Sequence, residues 1–192
     1  LDGAQIAGWW AGTEQLSNRT ASVYLRALLL TGARREEMAA LRWQDVDFRW
    51  RKLTIADKVE MTRTIPLTPY LAQLLATLPR VGPYVFASTG KAGRIVDARA
   101  SHDQVLEHAQ VKHLTFHGLR RTFIRQGRNI APLGVPAQMA GHTPSAVADG
   151  YAILPMDELR PHAERVEAHI LSLAGVQFDA QAEPGALRVV AG

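Results

Sequence analysis

Apolar residues recur at steps of three and four over several stretches of the chain, which is the spacing of one face of an α-helix. A run of valine and leucine that ends at Gly32 predicts the first of these helices, with Ser17 or Thr20 as its cap. A second helix is predicted from Arg35 to Arg42. Further helices are predicted behind Thr68, Ser101 and Thr115 and over the amphipathic stretch 157–174.

The period of the pattern changes to two between residues 46 and 67. Apolar residues alternate with polar ones from Val46 through Ile55, and Pro66 closes a second alternating segment. Proline is tolerated where a strand ends or lies at an edge. The segment therefore predicts two or three short antiparallel strands, with Lys58 near the tip of a turn.

Together these patterns predict an α+β fold that is mainly α-helical with a small antiparallel β-meander. A chain of 192 residues can bury one sizeable core, so we expect one main domain. Its 47% apolar and 21% charged residues are typical of a globular protein. The longest aliphatic run is far shorter than the ~20 apolar residues of a membrane span, so we expect no membrane partner.

Composition narrows the chemistry further. The chain has no cysteine, which excludes disulfides and thiolate metal sites and permits an intracellular location. Its formal net charge is +4 with a pI near 9.8, which favours polyanionic partners but is shared by proteins that bind none. The first residue is Leu1 rather than methionine, so we expect a segment of a longer protein.

Two motifs place a cation where a helix can present it to a phosphate. In "HGLR", His117 and Arg120 are three residues apart and share a helix face, where their donors can converge on phosphate oxygens. In "TGARREE", Arg34 enters a helix directly after a turn, with Glu37 one turn later as a buried partner. Taken alone, each motif is also typical of an ordinary solvated helix surface.

Three further positions carry groups of the same chemical kind. Lys58 lies in the predicted strand turn, His142 lies in "AGH", and Tyr151 follows the flexible stretch "TPSAVADG". Most loop lysines and surface tyrosines have no catalytic role, but a phenol that must reach an incoming ligand needs such a tether. The set has no acidic cluster of the kind that holds Mg²⁺ in nucleases, so any cations acting on an anionic substrate would be the protein's own.

These residues, in this order, resemble the catalytic domain of the tyrosine recombinase (phage integrase) family of DNA breaking-rejoining enzymes. The resemblance runs from about Thr20 to Ala168. It rests on "TGARREEMAALRWQDVDF", on the lysine of "DKVEMTRTIPLT" eight residues before Pro66, on "HGLRRTF", and on "AGH" followed nine residues after its histidine by the tyrosine of "DGY". It implies the tyrosine recombinase catalytic fold and six active-site residues: Arg34, Lys58, His117, Arg120, His142 and Tyr151.

The resemblance also implies a mechanism. The two arginines would grip the scissile phosphate, and Tyr151 would attack it to form a 3′-phosphotyrosine link. Lys58 would protonate the leaving 5′ oxygen, His117 would assist proton transfer at the phenol, and His142 would add a hydrogen bond. Because the phosphotyrosine retains the energy of the phosphodiester, no metal and no other cofactor is expected. Arg35 follows Arg34 directly, and the spacing to Glu37 favours Arg34 as the phosphate ligand.

The same resemblance sets the expected organisation and function. Residues 1–175 would form the catalytic domain and residues 176–192 a flexible C-terminal tail, with the family's N-terminal core-binding domain absent from this chain. We expect a site-specific recombinase or integrase of a mobile element in the bacterial cytoplasm. It would bind double-stranded DNA as a homotetramer and be a monomer or weak dimer when free.

Several alternatives stay open from the sequence. The alternatives to a recombinase are a DNA-binding relative that no longer cuts DNA, a type IB topoisomerase, and a basic helical domain in which the motifs occur by chance. The helix predicted over 157–174 either completes its own core or docks on a neighbouring subunit.

Overall fold

The computed structural model describes residues 1–57, 61–132, 134–141 and 153–179. These residues form a mainly helical α+β fold with one antiparallel sheet. The helices and strands, in chain order, are α1 (Gly3–Glu14), α2 (Arg19–Thr31), α3 (Arg35–Ala39), β1 (Val46–Asp47), β2 (Lys52–Asp57), β3 (Met61–Pro66), α4 (Pro69–Ala76), α5 (Arg99–His108), α6 (Phe116–Arg128), α7 (Val135–Ala140) and α8 (Met156–Leu173).

The sheet confirms the predicted meander, with the strands in the order β1-β2-β3. Leu53 pairs with Ile65, and Ile55 pairs with Arg63, so these residues share the inward face. Pro66 is the last residue of β3, as predicted. Trp50 differs from the prediction, because β1 is only two residues long and Trp50 lies in the turn after it, 62% exposed.

Helix α2 is buried along nearly its whole length and forms the centre of the core. It ends at Gly32, as predicted, with a left-handed φ of 64° that favours glycine. A Cβ at Gly32 would collide with the Phe123 ring of α6, so the close approach also requires glycine. The N-cap is Asn18, whose side chain accepts from the Ala21 N–H at 3.0 Å, and not Ser17 or Thr20.

Helix α8 packs on its own chain. It contacts α1, α6, α7 and β3 and buries four residues of the predicted stripe: Leu159, Ala163, Val166 and Ile170. Its Glu167 side chain accepts hydrogen bonds from the Thr68 hydroxyl and from the Tyr70 and Leu71 N–H groups. Of the two alternatives for this helix, the described residues favour packing within its own core.

Other elements differ from the sequence expectations at their ends. Helix α1 was not predicted, although Asp2 and Gln5 form a capping box at its start. Helix α3 stops at Ala39 instead of Arg42, and α5 begins at Arg99, ahead of Ser101. Among the described residues, no helix is both long enough and apolar enough to cross a membrane.

Candidate active site

The turn between α2 and α3 positions Arg34. The chain reverses at Gly32, and Arg34 becomes the N-cap residue of α3. The Arg34 N–H donates to Glu37 Oε2 at 3.1 Å, and its Nη1 donates to Glu37 Oε1 at 2.6 Å. Backbone and side chain of Arg34 are thus held by one carboxylate, as "TGARREE" predicted. The Arg34 side chain remains 46% exposed.

Glu37 is buried between two guanidiniums. Its Oε2 also accepts from Arg63 Nη2 at 2.8 Å, and both of these side chains are about 7% exposed. Burial by itself raises the pKa of the Glu37 carboxyl, but hydrogen bonds from Arg63 and Arg34 outweigh it, so the pKa lies below its ordinary value. A buried charge is tolerated when it is paired in this way.

Arg120 approaches the same place from α6. It is 3% exposed, and its Nη1 donates to the Gly32 carbonyl at 2.8 Å and to the Ala140 carbonyl at the end of α7. The next carbonyl, that of Gly141, accepts from Arg34 Nη2 at 3.4 Å. Two consecutive carbonyls at the end of α7 therefore receive the two predicted phosphate ligands, Arg34 and Arg120. Carbonyls at a helix end lack intrahelical partners and are available for such donors.

We call Arg34, Glu37, Arg63 and Arg120 the arginine centre. Three guanidiniums and one carboxylate carry a net positive charge at a site where the ends of α2 and α7 meet the start of α3 and strand β3. Such an arrangement is suited to an oxyanion with several acceptors, because guanidinium donors match phosphate oxygens in geometry and charge.

The structure also distinguishes Arg34 from Arg35. Arg35 pairs with Glu36 at 2.8 Å, and its Cζ lies 5.9 Å from the centre of the Phe116 ring. Arg34 and not Arg35 contacts Glu37 and the carbonyl at the end of α7. The preference for Arg34 that the Glu37 spacing gave therefore agrees with the contacts.

His117 lies one turn before Arg120 on α6 and is exposed. The helix begins next to Thr115, as predicted, and the structure adds that Thr115 caps it by accepting from the Gly118 N–H at 3.0 Å. The neighbouring Phe116 ring stacks on the buried His102 ring of α5 at 5.0 Å between centroids. Burial lowers the pKa of His102 to about 4, so the ring is neutral at pH 7 and accepts from Trp9 Nε1 at 3.3 Å. This stack fixes the start of the helix that carries His117 and Arg120.

The other three predicted site residues, Lys58, His142 and Tyr151, lie outside the described residues. Along the chain, Lys58 follows the last residue of β2 and His142 follows Gly141, which is the C-cap of α7. Their assignment to the active site stays a prediction.

Arg63 is the residue of the arginine centre that the sequence reasoning missed. A signal was present: Arg63 and Ile65 are two apart in an alternating strand, so a cation occupies a position of the apolar face. A charge at such a position needs a buried partner of opposite sign.

Possible metal ligands and cavities among the described residues bear on which ligands the protein can hold. Within residues 1–57, 61–132, 134–141 and 153–179, no group of three His, Asp or Glu side chains is placed to hold a metal ion. A cavity of about 630 Å³ lies beside α8 and the start of α4, away from the arginine centre.

Comparison with protein families and curated proteins gives two matches. Residues 10–156 match the model of the phage integrase family. Over 185 residues the chain is 43% identical to prophage integrase IntF of Escherichia coli (strain K12). The aligned region covers 92% of this chain and 40% of that protein. The chain therefore spans less than half the length of this curated relative.

Comparison with solved structures confirms the predicted fold class. The integrase from mycobacterium phage Brujita gives a TM-score of 0.63 at 18% identity, over 83% of this chain and 60% of that one. A lambda integrase (75-356) dimer bound to a COC′ core site gives 0.60 at 15% identity, over 81% of this chain and 61% of that one. At these identities the likeness is one of fold.

Proposed function

The chain belongs to the phage integrase family, and on that premise we propose that it is a site-specific DNA recombinase or integrase that cleaves and rejoins DNA through a 3′-phosphotyrosine intermediate. The observation that carries the proposal is the arginine centre, where Arg34 and Arg120 reach consecutive carbonyls directly before His142 in the chain. The match to an integrase family favours a recombinase over a type IB topoisomerase or a non-cutting relative.

In this proposal Arg34 and Arg120 bind the two non-bridging oxygens of the scissile phosphate. Negative charge grows on these oxygens as the pentacoordinate transition state forms, and donors already in place stabilise it without reorganisation. Glu37 holds the Arg34 guanidinium in a fixed orientation, and the Gly32 and Ala140 carbonyls do the same for Arg120. Fixed orientation is what makes such donors effective.

The proposed reaction exchanges one phosphoester bond for another. The Tyr151 oxygen forms a bond to phosphorus while the bond to the 5′ oxygen breaks, and His117 receives or relays the phenolic proton. Lys58 supplies a proton to the leaving 5′ oxygen, and His142 donates to a phosphate oxygen. Rejoining is the same step with another 5′-hydroxyl as the attacking group. No nucleotide is consumed because the number of phosphoester bonds is unchanged, and the positive charge comes from side chains.

The proposed assembly follows from the family and from the DNA-bound lambda integrase dimer among similar folds. We propose that residues 1–175 act as the catalytic domain, residues 176–192 as a C-terminal tail, and double-stranded DNA as the partner. Recombination joins two duplexes, so we propose a homotetramer on DNA and a monomer or weak dimer in its absence. A DNA substrate places the protein with the bacterial chromosome in the cytoplasm.

The test is covalent capture on a suicide duplex. DNA flanking the native gene is screened for fragments that the protein binds, and a nick is placed so that the short fragment with the newly freed 5′-hydroxyl diffuses away after cleavage. We expect a covalent protein–DNA band in EDTA that Tyr151→Phe abolishes and that Tyr84→Phe, at a half-buried tyrosine of the described surface, retains. A band that requires added Mg²⁺, or one that survives in Tyr151→Phe, would refute the proposal.

A further inference from the structure

We propose that Arg63 is a positioning residue of the active site, whose buried guanidinium contacts both Glu37 and the Gly141 backbone and thereby fixes Arg34 and the end of α7 in their places. The inference rests on the proposed function and adds to it a residue outside the six that carry the chemistry.

Arg63 occupies an apolar position in the sheet. It stands on the inward face of β3 opposite Ile55 and two residues from Ile65, and both of these isoleucines are about 1% exposed. A guanidinium in such surroundings is costly unless it is paired, and its partner here is Glu37 on α3, 26 residues earlier in the chain. The pair joins the sheet to the helix that Arg34 begins.

The two oxygens of the Glu37 carboxylate are shared between Arg63 and Arg34. Its Oε2 accepts from Arg63 Nη2 and from the Arg34 N–H, while its Oε1 accepts from Arg34 Nη1. Arg63 therefore fixes the carboxylate from the buried side, and the carboxylate fixes Arg34 on the exposed side. Without Arg63, the Glu37 side chain loses the contact that sets its rotamer, and Arg34 loses its fixed support.

Gly141 packs directly against Arg63. A Cβ at Gly141 would lie 2.7 Å from Arg63 Cζ, 2.7 Å from Nη1 and 2.8 Å from Nε. Because Cζ is as near as the two nitrogens, the glycine faces the flat side of the guanidinium and not one N–H group. Gly141 also has a φ of 76°, a left-handed conformation that favours glycine, and a larger residue there would displace the Arg63 guanidinium.

Through these contacts Arg63 connects three segments of the chain, each of which carries or adjoins a predicted catalytic residue. Its own hairpin leads from β2 through the position of Lys58 to β3, its carboxylate partner orients Arg34, and its planar face supports the residue before His142. Its side chain is 7% exposed, against 46% for Arg34, so it is placed to organise the site and not to contact DNA.

The structure provides a matched control in Arg26. This arginine is also buried, at 4% exposure, and it pairs with Glu14 at 3.5 Å and with the Ser22 hydroxyl at 2.8 Å. Its Cζ lies 5.7 Å from the centre of the Trp10 ring, in the α1–α2 part of the core. Arg26→Met therefore removes a buried, paired arginine without touching the arginine centre.

The activity test compares Arg63→Met with Arg26→Met on a DNA fragment that the wild-type protein cleaves. Single-turnover formation of the covalent complex is measured at saturating protein, at a temperature where circular dichroism shows each variant folded, together with the Kd for DNA. We expect Arg63→Met to slow the covalent step by about 10²-fold with a Kd within about threefold, since small misplacements of catalytic groups have effects of this size. Arg26→Met should stay within about threefold in both quantities.

Arg63→Lys sharpens the result because it keeps the charge and loses the planar face and the paired donors. We expect Arg63→Lys to reach no more than about a tenth of the wild-type rate. If Arg63→Met does not fold, Arg63→Lys takes its place in the comparison with Arg26→Met. Equal rates for the Arg63 and Arg26 variants, after correction for the folded fraction, would overturn the inference.

A second readout needs no DNA cleavage. The Glu37 carboxyl carbon is titrated by ¹³C NMR in the wild-type chain, in Arg63→Met and in Arg26→Met. We expect loss of the Arg63 hydrogen bond to raise the Glu37 pKa, and the Arg26 substitution to leave it unchanged. An unshifted Glu37 titration would overturn the inference. If wild type fails to cleave any bound DNA, the proposed function falls, and this titration alone decides whether Arg63 holds Glu37.

Discussion

Among the residues that the structure describes, Glu37 and Glu167 are the two buried glutamates, and they lie in regions with different environments. Glu37, in the arginine centre, lies between two guanidiniums, and their hydrogen bonds hold its pKa below the ordinary value against the effect of burial. Glu167, where α8 meets the start of α4, accepts only from a hydroxyl and two backbone N–H groups, and burial raises its pKa. The pKa of the buried glutamate is thus lowered in the arginine centre and raised where α8 meets α4.

The two glutamates therefore have different roles: Glu37 pairs with cations, and Glu167 attaches one helix to another. Glu37 organises cations that an anionic substrate can then meet. Glu167 instead satisfies N–H groups at the first turn of α4, which have no partner inside their helix, and thereby fastens α8 to the rest of the chain. We therefore expect changes in the arginine centre to reduce catalysis first and changes at the α4–α8 junction to reduce stability first.

The largest effect is expected from Arg120→Ala. Loss of a preorganised donor to the transition-state oxyanion costs about 10² to 10³ in rate, or about 3–4 kcal/mol. The measurement is the single-turnover rate of covalent complex formation. Glu167→Ala is the control from the other region and should keep the rate within about threefold when the protein is folded. An Arg120→Ala enzyme with that same small change would end the distinction between the two regions.

Glu37→Gln should follow, with a rate lower by about 10- to 100-fold. Glutamine retains one acceptor for Arg34 or Arg63 but turns an NH₂ group toward the other guanidinium, so both arginines cannot stay in place. The Kd for DNA should change little, since no cation is lost. A fall in affinity as large as the fall in rate would show that Glu37 supports binding and not the transition state.

Glu167→Ala should lower the free energy of unfolding by about 2 kcal/mol, because it leaves the Thr68 hydroxyl and two N–H groups of α4 without an acceptor. Urea titration followed by circular dichroism measures the change. Thr68→Ala removes the hydroxyl alone and should cost about 1 kcal/mol. Equal stability of Glu167→Ala and wild type would contradict the proposed fastening of α8.

The smallest and most specific effect is on the pH dependence of stability. The Glu37 pKa is depressed on folding, so its contribution is present above the unfolded value of 4.5 and is lost as pH falls through the folded pKa. The Glu167 pKa is raised, so its contribution is lost as pH rises from 4.5 through the folded pKa. Below pH 4.5, the free energy of unfolding of the wild type should therefore fall relative to that of Glu37→Gln. As pH falls from 7 to 4.5, it should rise relative to that of Glu167→Gln. His102 titrates in every protein of the series and cancels.

The same contrast explains what the sequence could predict. Gly32, Thr115 and the Arg34–Glu37 spacing act through local chemistry, within three or four residues, and each was identified correctly. Thr68 was recognised as the N-cap of α4, but its hydroxyl donates to Glu167, 99 residues later. Arg63 pairs with Glu37 across 26 residues. Contacts of this range depend on which faces meet in the core, and no local pattern records them.

Helix α1 was missed for a related reason. Its start carries a local signal, the capping box of Asp2 and Gln5, but its apolar residues do not form one stripe. Trp9 and Trp10 are both buried because α1 lies between α2, α5 and α8 and is covered on more than one side. A helix that is buried on several faces loses the periodicity by which a surface helix is recognised.

The most direct test of the account is to locate the protein–DNA bond. The covalent complex trapped on the suicide duplex is digested with nuclease and trypsin, and the peptide that retains a nucleotide is sequenced by mass spectrometry. Residues 129–165, bounded by Arg128 and Arg165 because the Arg160–Pro161 bond resists trypsin, contain one tyrosine, Tyr151. We expect a 3′-phosphonucleotide on this peptide and a free 5′-hydroxyl on the released fragment. Attachment elsewhere, or a released 5′-phosphate, would contradict this expectation.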